Sequence, residues 1–576
     1  MREAERITSI REIDLSPKPG KTYWKNGNRE WREEFIYFLL VDRFHDNKER
    51  KPEYTHERRS GFGNAEQLQT ICGGTILGIT QQLDYIRDLG CTAIWLSPVF
   101  ENNTESYHGY AIENFLNVDP RFGTKQDLAD LVDAAHALDI RVFLDIVLHH
   151  TGNNWSYPFD DPYYYYQGVT FPFGEWRKED CPIPVEFRNT ELYERKGQIR
   201  NFDSYPETRE GDFITLKTFK GGTSPEALYV QQLLIKIHCY WLRETDIDGF
   251  RIDAVKHMGE EAISLFCSHM REYAYKLGKR NFFLFGELVG PEDMYNKYIG
   301  PKTSIFLEDK AIYFGLNSVL DFPLYHILSD VIHGKAMPDK LIQRYESLRK
   351  NALNRGEYGE FLVTFLDNHD QVGQTEKRRF GKQATPNQII AGIGFLLCAL
   401  GTPCIYYGTE QGFDGAGIGD YHIREAMFSP DNPELNALNK QCDIYVNIAT
   451  LAGIRKNSPT LKFGRMYMRE LSEDGKTFHL PAFKNCLLAF SRVLFDEEMV
   501  IAYNSSLTDS DEEYILVDPL LNPEGSIFRY SYGGTGSVHV MISEDGDRHF
   551  IKLKLAPAQF VILSNALSAN QKNSLS

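Results

Sequence analysis

Three acids close short apolar runs in this 576-residue chain: Asp253 after Gly249-Phe250-Arg251-Ile252, Glu287 after Phe283-Leu284-Phe285-Gly286, and Asp370 after Phe365-Leu366-Asp367-Asn368-His369. Carboxyl groups gathered in one cleft can break a glycosidic bond. A protonated one assists the leaving oxygen, and an ionised one attends the anomeric carbon. A third negative group stabilises an oxocarbenium-like transition state. Arg251 stands two residues before Asp253, so on a strand both point to one side. A guanidinium neighbour keeps an aspartate ionised, as a carboxylate nucleophile must be. Glu287 lies among Phe283, Phe285, Leu288 and Val289. Burial there, with like charge nearby, raises a carboxyl pKa and suits a general acid that also works in reverse. On chemistry alone Asp253 is the nucleophile and Glu287 the acid/base. A lone Arg-x-Asp more often describes a structural ion pair, so the catalytic reading requires a fold that unites the three acids.

The elements that would do so are eight apolar runs: residues 35–41, 93–100, 141–150, 249–255, 282–289, 318–324, 361–370 and 402–411. They lack polar alternation, as strands covered on both faces do. Helical spacing appears between them at about residues 79–89, 125–138, 228–243, 259–277 and 387–400. This grammar predicts a (β/α)8 TIM barrel, over residues 31–150 and 229–457, after a lead-in at 1–30. Asp145, His149, His150, Arg251, Asp253, Glu287, His369, Asp370 and Glu410 then fall at or near C-terminal strand ends, the face that carries catalysis in a barrel. Residues 151–228 interrupt the repeat and read as an inserted subdomain over that face. From 458 to 566 the pattern alternates without helices, which predicts a C-terminal antiparallel β-sandwich capping the barrel. Residues 567–576 read as a disordered tail. Asp145, His149, His150, Glu287 and His369 also offer ligands for a hydrolytic metal centre. The H-x-H pair that barrel metallohydrolases carry on their first strand is absent, however, where Val41-Asp42-Arg43-Phe44 stands.

Composition narrows the partners. A net charge of −17 disfavours nucleic acid and suits a neutral substrate. Aromatic residues make up 13% of the chain, with 32 Tyr, and their faces suit sugar rings as well as cores. No apolar run is long enough to span a membrane. The nine Cys form no C-x-x-C, and no apolar h-region follows the charged start Met1 to Arg6. Reduced thiols and a cytoplasmic location are expected. No coiled-coil pattern sets an oligomeric state.

Four stretches in order resemble the motifs of the α-amylase family, glycoside hydrolase family 13: Asp145 to His150, Gly249 to His257, Phe285 to Glu287 and Phe365 to Asp370. Tyr107-His108-Gly109-Tyr110, the segment 118–124 and the segment 406–412 are secondary matches, and the likeness runs over nearly the whole length. The resemblance implies a retaining double displacement on α-glucosidic bonds, with Asp253 as nucleophile, Glu287 as acid/base and Asp370 as transition-state stabiliser. It implies Tyr110 as a stacking platform and His108 as a further substrate-binding residue. His150, Arg251 and His369 would bind the sugar being cleaved, and Lys256 and His257 would line the acceptor side. Asp145 is expected to orient its neighbours and Glu410 to be structural. No cofactor is expected for the chemistry. A structural calcium is doubtful, because His149 replaces the Asn that usually binds it and an imidazole does not favour a hard cation. Asp42, Asp46 and Asn47 form another oxygen cluster. Ala111 replaces an aromatic platform, and Gly211 to Lys217 occupies the place of a subdomain motif it does not match. The expected substrate is a maltodextrin-like oligosaccharide or α-glucan. The alternatives are a transglycosylase, a sucrose- or trehalose-type enzyme on the same scaffold, and a non-catalytic glucan-binding homologue.

Overall fold

The eight apolar runs fold into short parallel strands that close on themselves. The computed structural model describes residues 7–565 except 26, 28, 53–59, 166–168, 304–311, 353–357 and 482–485. The expected tail at 567–576 and residues 1–6 of the lead-in lie outside the described residues. The barrel strands are β1 (Ile36–Leu39), β2 (Ala93–Leu96), β3 (Arg141–Ile146), β4 (Gly249–Ile252), β5 (Phe283–Gly286), β6 (Ser318–Leu320), β7 (Leu362–Thr364) and β8 (Thr402–Tyr406). Neighbours in sequence are neighbours in space, and Ile36 pairs with both Ala93 of β2 and Cys404 of β8 to close the ring. Every residue of these strands is buried, which is why their sequences show no alternation.

The strands stop earlier than their apolar runs. β3 ends at Ile146 and β5 at Gly286, and the polar residues follow just beyond. The amide of Asp253 donates to Ile146 O and that of Glu287 to Ile252 O, both at 2.9 Å, so each acid sits one step past its strand. Helices cover the outside. Pro225–Thr245 starts three residues before the expected position, with Ser224 as N-cap and Pro225 in the first turn. Lys125–Ala137 and Pro386–Cys398 both begin in capping boxes, Thr124 with Asp127 and Thr385 with Gln388. Two helices after β6, Phe322–Ile332 and Asp339–Ala352, were not legible in the sequence pattern.

The insertion after β3 is built largely of turns around aromatic rings, including Trp155, Tyr157, Phe187, Tyr193 and Phe219. It returns to the barrel through an antiparallel pair, with Lys217 opposite Thr151 and Thr218 opposite His150. The C-terminal region forms a six-stranded and a four-stranded antiparallel sheet, with Leu487, Val500, Ile515, Phe528, Ile551 and Val561 in the core between them. Phe490, Ile501 and Phe560 of the larger sheet join the barrel's own apolar core, so the sandwich packs as a cap. No described helix is long and apolar enough to cross a membrane.

Gly249 opens β4 where space is least: an added Cβ would lie 2.2 Å from Phe283 O and 2.9 Å from the Phe143 ring. Gly249→Ala is expected to destabilise the chain by about 1–3 kcal/mol, the usual cost of overpacking. A thermal melt unchanged by this substitution would contradict the packing described.

Candidate active site

Arg251 occupies the centre of the barrel mouth and is completely buried. The register puts it beside Asp145 of β3 and Phe285 of β5. Its Nη1 donates to Asp145 Oδ1 at 2.9 Å, to Asp145 Oδ2 at 3.0 Å and to Asp253 Oδ1 at 2.8 Å. Its Nη2 lies 3.2 Å from Glu287 Oε2. One planar, permanently charged group thus holds Asp145, Asp253 and Glu287, a task its fixed fork of donors suits. Asp145 is itself buried. Trp95 Nε1 donates to it at 3.1 Å and the Tyr110 hydroxyl at 2.8 Å, so it orients its neighbours as expected.

The chain turns sharply after Asp253. Ala254 adopts the left-handed region at φ 52°, and its amide donates to Glu287 Oε2 at 3.2 Å. Across the mouth, Asp370 is held by Arg424 Nη2 at 2.6 Å and by His369 Nε2 at 3.1 Å. The Tyr110 hydroxyl also meets His369 Nε2 at 2.9 Å, and the two rings lie parallel at 5.5 Å. Asn368 Oδ1 accepts the amides of Asp370 and Gln371, which fixes the turn that presents Asp370.

Burial separates the acids electrostatically. It pushes Glu287 up to about 7, helped by the negative charges of Asp253 and Asp370 and opposed by Arg251. It pushes Asp253 up to about 6, again against Arg251, so Asp253 remains mostly ionised at neutral pH. Burial acts the same way on Asp370, but His369 and the Arg424, Arg251 and Lys377 cations outweigh it and hold that carboxyl near 2. His369 is itself kept neutral, at about 3, by burial. Among the permanent cations that hold Asp370 low, Arg424 contributes most and is in direct contact with the carboxylate.

The remaining expected residues divide. His150 is buried beside His149, with their Nδ1 atoms 3.3 Å apart. Both nitrogens of His108 are engaged in its own turn, with the Tyr110 amide at 3.1 Å and the Ser106 hydroxyl at 3.2 Å, so the geometry has it brace the turn that carries Tyr110. Lys256 pairs with Asp203 from the insertion. His257 faces the insertion too, with Nδ1 2.6 Å from Thr208 O and its ring 4.4 Å from Phe213. Glu410 is buried away from the mouth and accepts the Tyr37 and Tyr85 hydroxyls, each at 2.8 Å. Sequence reasoning missed Trp95, Asp203, Lys377 and Arg424. The only local signal for Arg424 was an acid four residues earlier, Asp420, with which it pairs at 3.5 Å.

Calcium does not fit this donor set. His149 is ringed by His150, Phe213 and His257, at ring distances of 5.6, 5.2 and 5.7 Å, and burial holds its pKa well below the ordinary value. A hard cation needs oxygen ligands. The alternative oxygens are already committed: Asp42 to Arg43 and the amides of Cys72 and Gly73, and Asp46 to Arg50 and Lys48. The hydrolytic metal centre fares no better, since Asp145 and Glu287 converge on Arg251. Among the described residues, the group with ligand atoms within 4.8 Å is Asp133, His136 and Asp246, at the other end of the barrel, where Lys279 already neutralises Asp246.

The family model of the alpha-amylase catalytic domain matches residues 38–194 and 224–441, both sides of the insertion's end and all four strand motifs. The chain belongs to the alpha-amylase family. This alpha-amylase family member is 28% identical to an alpha-amylase of Streptomyces lividans, aligning 88% of itself with 58% of that protein. It is 25% identical to a cyclomaltodextrin glucanotransferase of Klebsiella oxytoca, with 85% of this chain and 72% of that one aligned. Its structure resembles the alpha-amylase of Geobacillus thermoleovorans complexed with acarbose, at a TM-score of 0.66 and 25% identity over 93% of this chain and 99% of that one. The chain spans little more than half of the Streptomyces protein's length.

Because Arg424 is the cation nearest the Asp370 carboxylate, Arg424→Met is expected to raise the Asp370 pKa from about 2 towards its ordinary value. A carbon-13 NMR titration of the aspartate carboxyls would show this, and an unmoved resonance would refute the assignment of the cause.

Proposed function

We propose that this chain is a retaining glycoside hydrolase acting on α-glucosidic bonds, α-1,4 bonds in maltodextrin-like oligosaccharides above all. The carrying observation is that neighbouring amino groups of one guanidinium hold Asp253 and Glu287. That shared anchor keeps the two carboxyls close, and a separation on the order of 5 Å is what retention requires. In the first step Glu287 gives its proton to the glycosidic oxygen as the bond from that oxygen to the anomeric carbon breaks. Asp253 Oδ1 is held by Arg251, and its other oxygen bonds to the anomeric carbon to form the glycosyl-enzyme. In the second step Glu287, now ionised, takes a proton from water, whose oxygen displaces Asp253 and restores the starting configuration. Asp370, ionised throughout, stabilises the cationic character of the sugar between these steps. Tyr110 is the platform beneath the sugar, and Arg251, His150 and His369 surround it.

The net charge of −17 supports a neutral partner over nucleic acid. All nine cysteines are free thiols, which supports a reducing cytoplasm. A second reading, transfer of the glycosyl group to another sugar, is favoured by the glucanotransferases among the relatives and by Phe202, an exposed aromatic packed against His257 on the acceptor side. Only the acceptor differs between the two reactions.

Chromatography of the products from maltoheptaose separates them: shorter sugars with new reducing ends mark hydrolysis, and longer ones mark transfer. Asp253→Asn is expected to abolish both, and persistent turnover would sink the mechanism. Glu287→Gln is expected to slow maltoheptaose cleavage by about 10²–10⁴-fold, the usual contribution of a general acid. It should spare formation of the glycosyl-enzyme from an aryl glycoside whose leaving group needs no proton.

The pH dependence follows from the same two groups. Activity requires Asp253 ionised, so it falls as pH drops through about 6, and Glu287 protonated, so it falls as pH rises through about 7. A narrow bell between those values is expected in kcat/KM. Glu287→Gln should remove its alkaline limb, and an alkaline limb that survives in that variant would assign the acid elsewhere.

A further inference from the structure

The family match skips residues 195–223, and within them the segment Gly211 to Thr218 holds a charge cluster that the reaction does not use. Lys217 is fully buried, and its Nζ lies 3.6 Å from Asp161 Oδ1 and 3.9 Å from Asp212 Oδ2. The rings of Trp155 and Tyr157 face the same ammonium, each with its centroid 4.9 Å away. Two carboxylates and two aromatic faces surround this one buried cation, at ion-pair rather than hydrogen-bond distance. Asp212 is fixed in turn, accepting the Tyr157 hydroxyl at 2.8 Å and the Thr218 amide at 2.9 Å.

The cage is connected to the catalytic face through backbone. Lys217 and Thr218 pair with Thr151 and His150, and the Phe219 amide donates to His149 O at 2.9 Å. On the other side of the same turn Phe213 packs against His149, His150 and His257, at 5.2, 5.5 and 4.4 Å. One short segment therefore carries a buried ammonium at one end and, at the other, the ring against which the imidazoles rest. The residues at this junction do not fit a calcium ion, yet a cation is built in nearby as a side chain.

We infer that Lys217 is a positioning residue: its ammonium is the resident cation that fixes the Gly211 to Thr218 turn, and through the Thr218 pairing it sets His150 in the sugar site without a metal. This rests on the proposed sugar site for its consequence in catalysis, but not for its structural part. Removing the ammonium leaves Asp212 and Asp161 facing each other and two rings unsupported. The turn should then shift, and His150 with it.

The test has arms that do not depend on turnover. Exhaustive dialysis of the wild-type chain against EDTA should leave its melting temperature unchanged. Lys217→Met should lower it, and added calcium chloride should not restore it. In the same variant the ring signals of His150, followed by NMR of histidine-labelled protein, should move. Where maltodextrin turnover is measured, Lys217→Met should lower kcat/KM by about tenfold or more, as displaced binding groups do. His150→Ala should then cost much less in that background than in the wild type. A melting temperature that EDTA lowers and calcium restores would overturn the inference, as would unmoved His150 signals or strictly additive losses. Should Lys217→Met not fold, Asp212→Asn keeps the ammonium, removes one wall of the cage and is read in the same way. Absence of any turnover in the wild type would sink the proposed function and leave the melting and NMR arms standing.

Discussion

A single guanidinium in a low-dielectric mouth is the constraint from which the site follows. Without Arg251 the carboxylates of Asp145, Asp253 and Glu287 would be crowded together, each with its burial penalty and its repulsion from the others. With it, Asp145 becomes an anchor, Asp253 stays ionised and Glu287 is left as the group on which the residual penalty falls. The difference between the two carboxyls is thus not a property of either residue. It comes from how one positive charge is shared among three negative ones. Asp370 lies outside this arrangement, and a second cation, Arg424, serves it. Two arginines therefore divide the mouth into a region where a proton is retained and a region where it is not.

Much of the fold and of the chemistry was legible because both are local. An apolar run without alternation states that a strand is covered on two sides, and an acid one residue past its end states where that acid faces. Asp253 and Glu287 could be placed on that basis alone, whereas Asp370 stands in the loop beyond β7, six residues past Thr364. The misses have a common physical origin. Arg424 reaches Asp370 from a loop after β8, Asp203 reaches Lys256 from the insertion, and Trp95 reaches Asp145 from the preceding strand, β2. Such contacts are made between segments that carry no periodicity relating them. The strand ends were misplaced for a related reason: an apolar run continues into the loop wherever the loop is also buried, as at Val147 and Leu148.

The insertion shows the same limit from the other side. The expectation of a doubtful calcium rested on His149 alone. What replaced oxygen donors there could not be read from spacing, since Phe213, His257 and His150 come from three separate parts of the chain. Imidazoles kept neutral by burial pack like small aromatic rings, so the junction is sealed by van der Waals contact. Charge has instead moved inside the insertion, to Lys217 and its acids.

Closure of the ring joins Ile36 to Cys404, residues at opposite ends of the catalytic region. Contacts between such distant segments are costly in chain entropy and form slowly. The mouth draws Asp145, Asp253, Glu287 and Asp370 from four different strands, so no fragment that ends before Asp370 contains all four acids. The β1 edge is covered only by β8, so its partner is not available until most of the polypeptide has been made. Activity is therefore a late property of the folding chain, and the same seam that confers it is where a partly made molecule is most exposed to pairing with another.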